Sequence, residues 1–145
     1  MTYYANNAEG AANGVTVSAT NSDDNGAGDA LDVVSGSREF STAQYNNGAT
    51  SIKCFGTSGN TGLVGWTLSS SSVSTRVYFR IPSAPGATSD IMQFRNTGNG
   101  GGLQLRTDRK LAVVNDASAA VFTAATACDV DTWYRLEIAM AKGTD

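Results

Sequence analysis

The residues of this chain that could carry out chemistry are its carboxylates and arginines, because the sequence contains no histidine. Without an imidazole, Ser-His-Asp and Cys-His nucleophile systems are excluded, as are histidine-based zinc and iron sites. Glycoside hydrolysis needs only two carboxylates, about 5 to 10 Å apart on either side of the scissile bond. The glutamates are Glu9, Glu39 and Glu137, and none lies in a short motif that would place two carboxylates on one strand. The sequence therefore predicts that the chain is not an enzyme.

An acidic cluster in the first third of the chain is the candidate cation site. Its members are Asp23, Asp24, Asn25, Asp29 and Asp32. Carboxylate and carbonyl oxygens are the ligands that calcium prefers, although the fixed spacing of an EF-hand is missing here. A calcium site at Asp23, Asp24 and Asp29, or at Asp129 with Asp131, is one interpretation. The other is that these aspartates are solvated turn residues whose side chains bond nearby backbone amides.

Polar side chains alternate with apolar ones along three successive predicted strands. Because the side chains of a strand alternate between its two faces, a meander of these strands would place the polar set on one face of a sheet. Arg and Tyr suit recognition of sugars, carboxylates or a protein partner, because the guanidinium donors fork onto oxygens. The alternative is that this is simply the solvated side of the sheet. We call this set the predicted platform: Arg76, Tyr78, Arg80, Gln93, Arg95, Gln104 and Arg106.

Short strands joined by tight turns are the elements that must position these residues. The chain has 16 Gly and only two Pro, and Gly tolerates the positive φ that turns demand. Period-two alternation predicts strands over 75–81, 92–95, 103–106, 111–114 and 133–140, with hairpin loops over 96–102 and 107–110. No convincing helix of ten residues is found. The predicted core lies on one face of these strands: Val77, Phe79, Ile81, Met92, Phe94, Leu103, Leu105, Leu111, Val113, Leu136 and Ile138.

Composition and charge exclude several classes of partner. Charged residues make up 16% of the chain and the net charge is −3, so a nucleic-acid binder is not expected. No apolar stretch reaches the length of a membrane-spanning helix, and the first residues lack the pattern of a signal peptide. We therefore expect neither membrane insertion nor a secretion signal. Cys54 and Cys128 leave open whether the chain holds one disulfide or two free thiols.

Three stretches together resemble the laminin-G or concanavalin A-like jelly-roll superfamily. They are Glu9-Gly10 with 11–19, the meander from Val77 to Leu105, and Asp131-Thr132-Trp133-Tyr134-Arg135-Leu136-Glu137-Ile138. The resemblance implies an all-β fold, an antiparallel two-sheet jelly-roll sandwich formed by residues 1–145 as one domain. Members of that family continue past the Trp strand. The resemblance thus implies that the last strands are missing, either because the chain is the N-terminal portion of a longer protein or because a neighbouring chain completes the sandwich.

The same resemblance points to function. Jelly-roll domains of this Gly-, Asn- and Ala-rich style are found in phage tail, fibre and capsid-surface proteins, which are made in the host cytoplasm without a signal peptide. The leading hypothesis is a non-catalytic virion surface module, a capsid decoration or tail protein in a multi-copy assembly. Its expected partners are other virion proteins, with host-surface glycans as candidate ligands. The alternatives are a carbohydrate-binding domain of a bacterial secreted enzyme or adhesin, and a purely structural role.

Overall fold

The computed structural model describes residues 4–56, 62–95 and 100–141, which form strands and loops with one 3-10 turn, Asp24–Gly26. The prediction of an all-β chain with antiparallel sheets is confirmed. No helix in this part of the chain is long and apolar enough to cross a membrane. The strands are β1 (Val33–Ser35), β2 (Ser37–Ser41), β3 (Ser51–Phe55), β4 (Leu63–Gly65), β5 (Ser72–Arg80), β6 (Ser89–Gln93), β7 (Gly102–Leu105), β8 (Lys110–Val114), β9 (Ala120–Ala127) and β10 (Trp133–Ala141).

The chain divides into two compact units, and unit 1 consists of Met1–Val73 with Ala141–Asp145. It contains two antiparallel pairs, β1 with β4 and β2 with β3. Its core is formed by Val17, Leu31 and Phe40. Two of these three side chains come from the Gly- and Asn-rich segment before β1, so isolated apolar residues order a long polar loop. That the whole chain forms one domain stays a prediction.

Unit 2, Ser74–Met140, contains an antiparallel meander in the order β6-β7-β8-β9 and a separate pairing of β5 with β10. Its buried core consists of Ile81, Leu105 and Cys128. Phe79 of β5 stacks on Tyr134 of β10, with ring centroids 5.6 Å apart. The alternating sequences of β5 and β10 therefore form strands as predicted, with their apolar sides turned inward.

Strand β8 is covered on both faces. Leu111 lies opposite Leu105 and packs against the core of unit 2, and Val113 lies opposite Leu103, so both residues are on the predicted core face. Ala112 and Val114 lie on the other face, which carries Gln104, yet they are only 0% and 6% exposed. The predicted faces of this strand are therefore confirmed, but alternation did not indicate that the second face is covered as well.

Each of the two hairpin turns that flank β8 contains a non-glycine residue whose backbone is in the left-handed region. In the turn from β7, Arg109 has φ 64° and its amide donates to the Arg106 carbonyl at 2.8 Å. In the turn to β9, Ser118 has φ 59° and its amide donates to the Asn115 carbonyl at 2.9 Å. Glycine is the residue that adopts this conformation without steric cost. The Asp108-Arg109 pair is therefore part of a longer turn with Arg109 at the glycine position.

Candidate functional site

The predicted platform is divided between two sheets. Arg76, Tyr78 and Arg80 lie on β5, which pairs with β10, whereas Gln93 and Gln104 lie on the neighbouring strands β6 and β7. The prediction that all seven residues share one face assumed that β5 is adjacent to β6, and it is wrong. Alternation along a strand gives the side on which each residue lies, but it does not give the neighbour of the strand.

The arginines of the β5 portion bind carboxylates of the protein itself. Arg76 donates from Nε to Glu137 Oε1 at 2.6 Å, and Arg80 donates from Nη2 to Asp131 Oδ1 at 2.5 Å. The Arg80 side chain is only 13% exposed, so this arrangement gives no support to its predicted role as a ligand contact, which stays a prediction. Tyr78 is 45% exposed. Within unit 2, these ion pairs connect β5 to β10 and to the turn before it.

The β6 and β7 portion is organised by a carboxylate that the sequence interpretation omitted, Asp90. Its two oxygens accept hydrogen bonds from Gln93 Nε2 at 2.5 Å and from Gln104 Nε2 at 3.0 Å. Asp90 lies opposite Gln104 in the ladder, and the register shifts between Asp90 and Met92. Without this bulge, residues three apart on a strand would lie on opposite faces. The bulge is what brings Gln93 to the same face as Asp90.

An open depression lies beside this cluster. Gly102 is paired with Val114 across β7 and β8, so both share the face that carries Gln104. A Cβ on Gly102 would lie 2.3 Å from the Met92 carbonyl oxygen, so this face has no side chain at position 102. We call the depression the Asp90 pocket, and its lining consists of Asp90, Gln93, Arg95, Gly100, Gly102, Val114 and Ser118.

The other two arginines of the platform, Arg95 and Arg106, lie at opposite ends of the β6–β7 hairpin. Phe94 donates its amide to the Gly101 carbonyl at one end, and Ser89 is opposite Leu105 at the other. Arg95 is therefore separated from Arg106 by about six residue rises, or about 20 Å along the strands. Neither side chain has a hydrogen bond or ion pair with any described residue. Only Arg95 lines the pocket. Residues 96–99 of the predicted hairpin loop lie outside the described residues.

The acidic cluster of unit 1 binds the backbone of its own N-terminal segment. Asp24 is 6% exposed, and its two carboxylate oxygens accept the amides of Asn7 at 2.5 Å and Glu9 at 2.9 Å. Asp29 accepts the amide of Ala5 at 2.8 Å. These are the side-chain-to-backbone bonds expected of turn residues. The turn interpretation thus describes both aspartates.

The other carboxylates considered for calcium are not gathered around a common point. Asp23 makes no side-chain capping bond to the 3-10 turn that follows it. Asp131 is paired with Arg80. Among residues 4–56, 62–95 and 100–141, no three His, Cys, Asp or Glu side chains are grouped so that they could hold a metal ion. Calcium binding stays a prediction, and no geometry in this region supports it.

The two cysteines are free thiols, Cys54 on the surface and Cys128 in the core of unit 2. Burial raises the pKa of the Cys128 thiol, and the neighbouring Asp129 carboxylate raises it further, partly opposed by Arg109. A raised pKa keeps the thiol protonated and a poor nucleophile near neutral pH. Cys128 is therefore a core residue rather than a reactive one.

All three glutamates are engaged within the protein. Glu9 Oε1 accepts the amides of Ala49 at 2.7 Å and Thr50 at 3.1 Å. Glu39 pairs with Lys53 at 2.8 Å in unit 1, and Glu137 pairs with Arg76 in unit 2. Each glutamate therefore has a structural partner.

No protein-family model, curated protein or solved structure matches this chain. The geometry of the described residues is consequently the basis for any assignment of function. Two members of the pocket were not singled out from the sequence, Asp90 and Ser118. Asp90 could have been identified from its position three residues before Gln93, but only if a bulge was assumed between them.

Proposed function

We propose that this chain is a non-catalytic, jelly-roll-type binding module whose ligand site is the Asp90 pocket and whose ligand is a saccharide. The observation that carries this proposal is the fixed polar cluster of Asp90, Gln93 and Gln104 beside the guanidinium of Arg95, which has no partner among the described residues. Ligand sites typically combine a depression with a few convergent polar groups, and this is the arrangement around Asp90.

The chemistry of the cluster suits hydroxyl groups. Each glutamine amide uses one N–H on Asp90, which leaves a second N–H and a carbonyl oxygen for a ligand. A sugar hydroxyl both donates and accepts, so it can bond to a donor and an acceptor of one amide at the same time. Because Asp90 already orients Gln93 and Gln104, little side-chain entropy is lost when a ligand binds.

The engagement of the carboxylates supports a non-catalytic role. Both oxygens of Asp90 accept amide hydrogen bonds, and Glu137 is held by Arg76. Hydrolysis of a glycosidic bond requires one carboxyl group as acid and a second as base or nucleophile across the sugar. The pocket lining supplies a single carboxylate, Asp90.

We place this module on a virion surface, as a capsid decoration or tail protein, and a second observation favours contact with other subunits. Strand β9 is at the edge of the four-stranded sheet, and its Val121 and Phe122 are 66% and 61% exposed. Exposed apolar residues on an edge strand favour association with another chain. The alternative, a carbohydrate-binding domain of a secreted enzyme or adhesin, uses the same pocket. A catalytic domain in the same polypeptide would favour that alternative.

The test is binding of the full chain to an array of immobilised polysaccharides. Arg95→Ala and Gln93→Ala should each weaken binding by about 1 to 3 kcal/mol, the range for a central contact. Arg106→Ala is the matched control, because this arginine is also exposed but lies outside the pocket, and the variant should bind like the wild type. Binding that survives both pocket substitutions and is lost in Phe122→Ser would contradict the saccharide assignment and favour the subunit contact.

A further inference from the structure

The arginines of unit 2 differ in whether a carboxylate of the protein neutralises them. Arg76 and Arg135 both contact Glu137, at 2.6 and 3.7 Å, and Arg80 contacts Asp131. Arg95 has no such partner among the described residues, although it lies beside a depression lined by polar groups. A guanidinium binds a carboxylate by two parallel N–H···O bonds. These charge-assisted hydrogen bonds are stronger than those that a guanidinium makes with a neutral oxygen. An anionic group of a ligand is therefore the partner that we expect for Arg95.

The lining of the same pocket also includes the carboxylate of Asp90. A second anion placed beside it would be repelled, because like charges a few ångströms apart destabilise each other in a partly desolvated site. The hydroxyl groups of a sugar are not repelled there and can bond to Gln93 and Gln104. The pocket is therefore bipolar, with a site for an anion at Arg95 and a site for hydroxyls at the Asp90 cluster.

From this juxtaposition we infer that the Asp90 pocket selects saccharides that bear a carboxylate, such as uronic acids. This inference rests on the proposed function and names its ligand class. The sugar carboxylate binds Arg95, and the ring hydroxyls bind the glutamine amides and the hydroxyl of Ser118.

The experiment compares methyl β-D-glucuronide with methyl β-D-glucoside, which differ only in a carboxylate against a hydroxymethyl group. Affinities for the full chain are measured by ligand-observed NMR titration. The glucuronide should bind the wild type about tenfold more tightly, as expected for one charge-assisted contact. Arg95→Ala should abolish this preference and Arg95→Lys should retain part of it. Arg106→Ala should leave both affinities unchanged.

The outcomes separate the two proposals. Equal affinity of the wild type for the two sugars would overturn the preference for acids while leaving saccharide binding in place. Binding of neither sugar would overturn the proposed function together with this inference. Acetate that binds as tightly as the glucuronide would show that the pocket recognises the carboxylate alone, and it would overturn the saccharide part. A preference that persists in Arg95→Ala would overturn the role of Arg95.

Discussion

Carboxylates do different work in the two units. In unit 1, Asp24, Asp29 and Glu9 accept hydrogen bonds from backbone amides of distant loops. In unit 2, Asp90 and Asp131 accept hydrogen bonds from side chains, namely two glutamine amides and a guanidinium. The exceptions are Glu39, which binds the Lys53 side chain in unit 1, and Asp108, which accepts the Lys110 amide in unit 2. Apart from these, carboxylates stabilise the chain path in unit 1 and arrange polar side chains in unit 2.

The difference follows from how the backbone amides of each unit find hydrogen-bond acceptors. Buried or partly buried amides must find an acceptor, and a loop has no ladder to supply one. The long segment before β1 obtains these acceptors from aspartate and glutamate side chains. In the β6-β7-β8-β9 sheet the strands supply one another, so polar side chains remain available for partners outside the chain. This contrast is why we assign the ligand site to unit 2.

The largest expected effect on the free energy of unfolding comes from the core of unit 1, against which its loops pack. Phe40 is fully buried, and Phe40→Ala should lower the free energy of unfolding by about 3 to 5 kcal/mol, the usual cost of removing a large buried aromatic. The matched control is Phe122→Ala in unit 2, which should change it by less than about 0.5 kcal/mol because the ring is exposed. Chemical denaturation measures both. Similar losses in the two variants would contradict the burial of these rings.

Asp24→Ala tests the backbone-binding role directly. It removes a buried acceptor from two amides, so we expect a loss of about 3 kcal/mol in the free energy of unfolding, with faster hydrogen exchange at Asn7 and Glu9. Asp23→Ala, one residue earlier, is the control and should have little effect. If calcium restored the stability of neither variant but raised that of the wild type, the cluster would be a cation site after all.

A smaller gain is expected at the turn between β7 and β8. Arg109→Gly should raise the free energy of unfolding by about 0.5 to 1 kcal/mol, because glycine adopts φ near 64° without a Cβ clash. The gain is limited because glycine also increases the conformational entropy of the unfolded chain. Ser118→Gly applies the same test to the second turn. A loss of stability at both positions would mean that their side chains contribute more than the strain costs.

The smallest effect on stability is expected at Asp90. Asp90→Ala removes hydrogen bonds between exposed side chains, so the free energy of unfolding should fall by less than about 0.5 kcal/mol. Saccharide binding should nevertheless be lost, because Gln93 and Gln104 lose their common acceptor. A loss of stability comparable with that of Asp24→Ala would remove the distinction between the two units.

Much of this architecture could be predicted from local sequence, and the rest depends on long-range pairing. Alternation located β5 and β10, because polar and apolar residues alternate through most of each strand. It did not reveal that these two strands pair with each other across about fifty residues of chain, nor that both faces of β8 are covered. The bulge after Asp90 is equally invisible in a pattern of period two, so the partner of Gln93 was missed.

The most direct test of the account is where a bound saccharide contacts the chain. Backbone amide shifts of the full chain are recorded during titration with methyl β-D-glucuronide. We predict that the largest changes cluster at Gly100, Gly102 and Ser118, with little change at Asn7 and Glu9. Changes concentrated at the acidic loops of unit 1, or along β5 around Tyr78, would contradict the assignment of the ligand site to the Asp90 pocket.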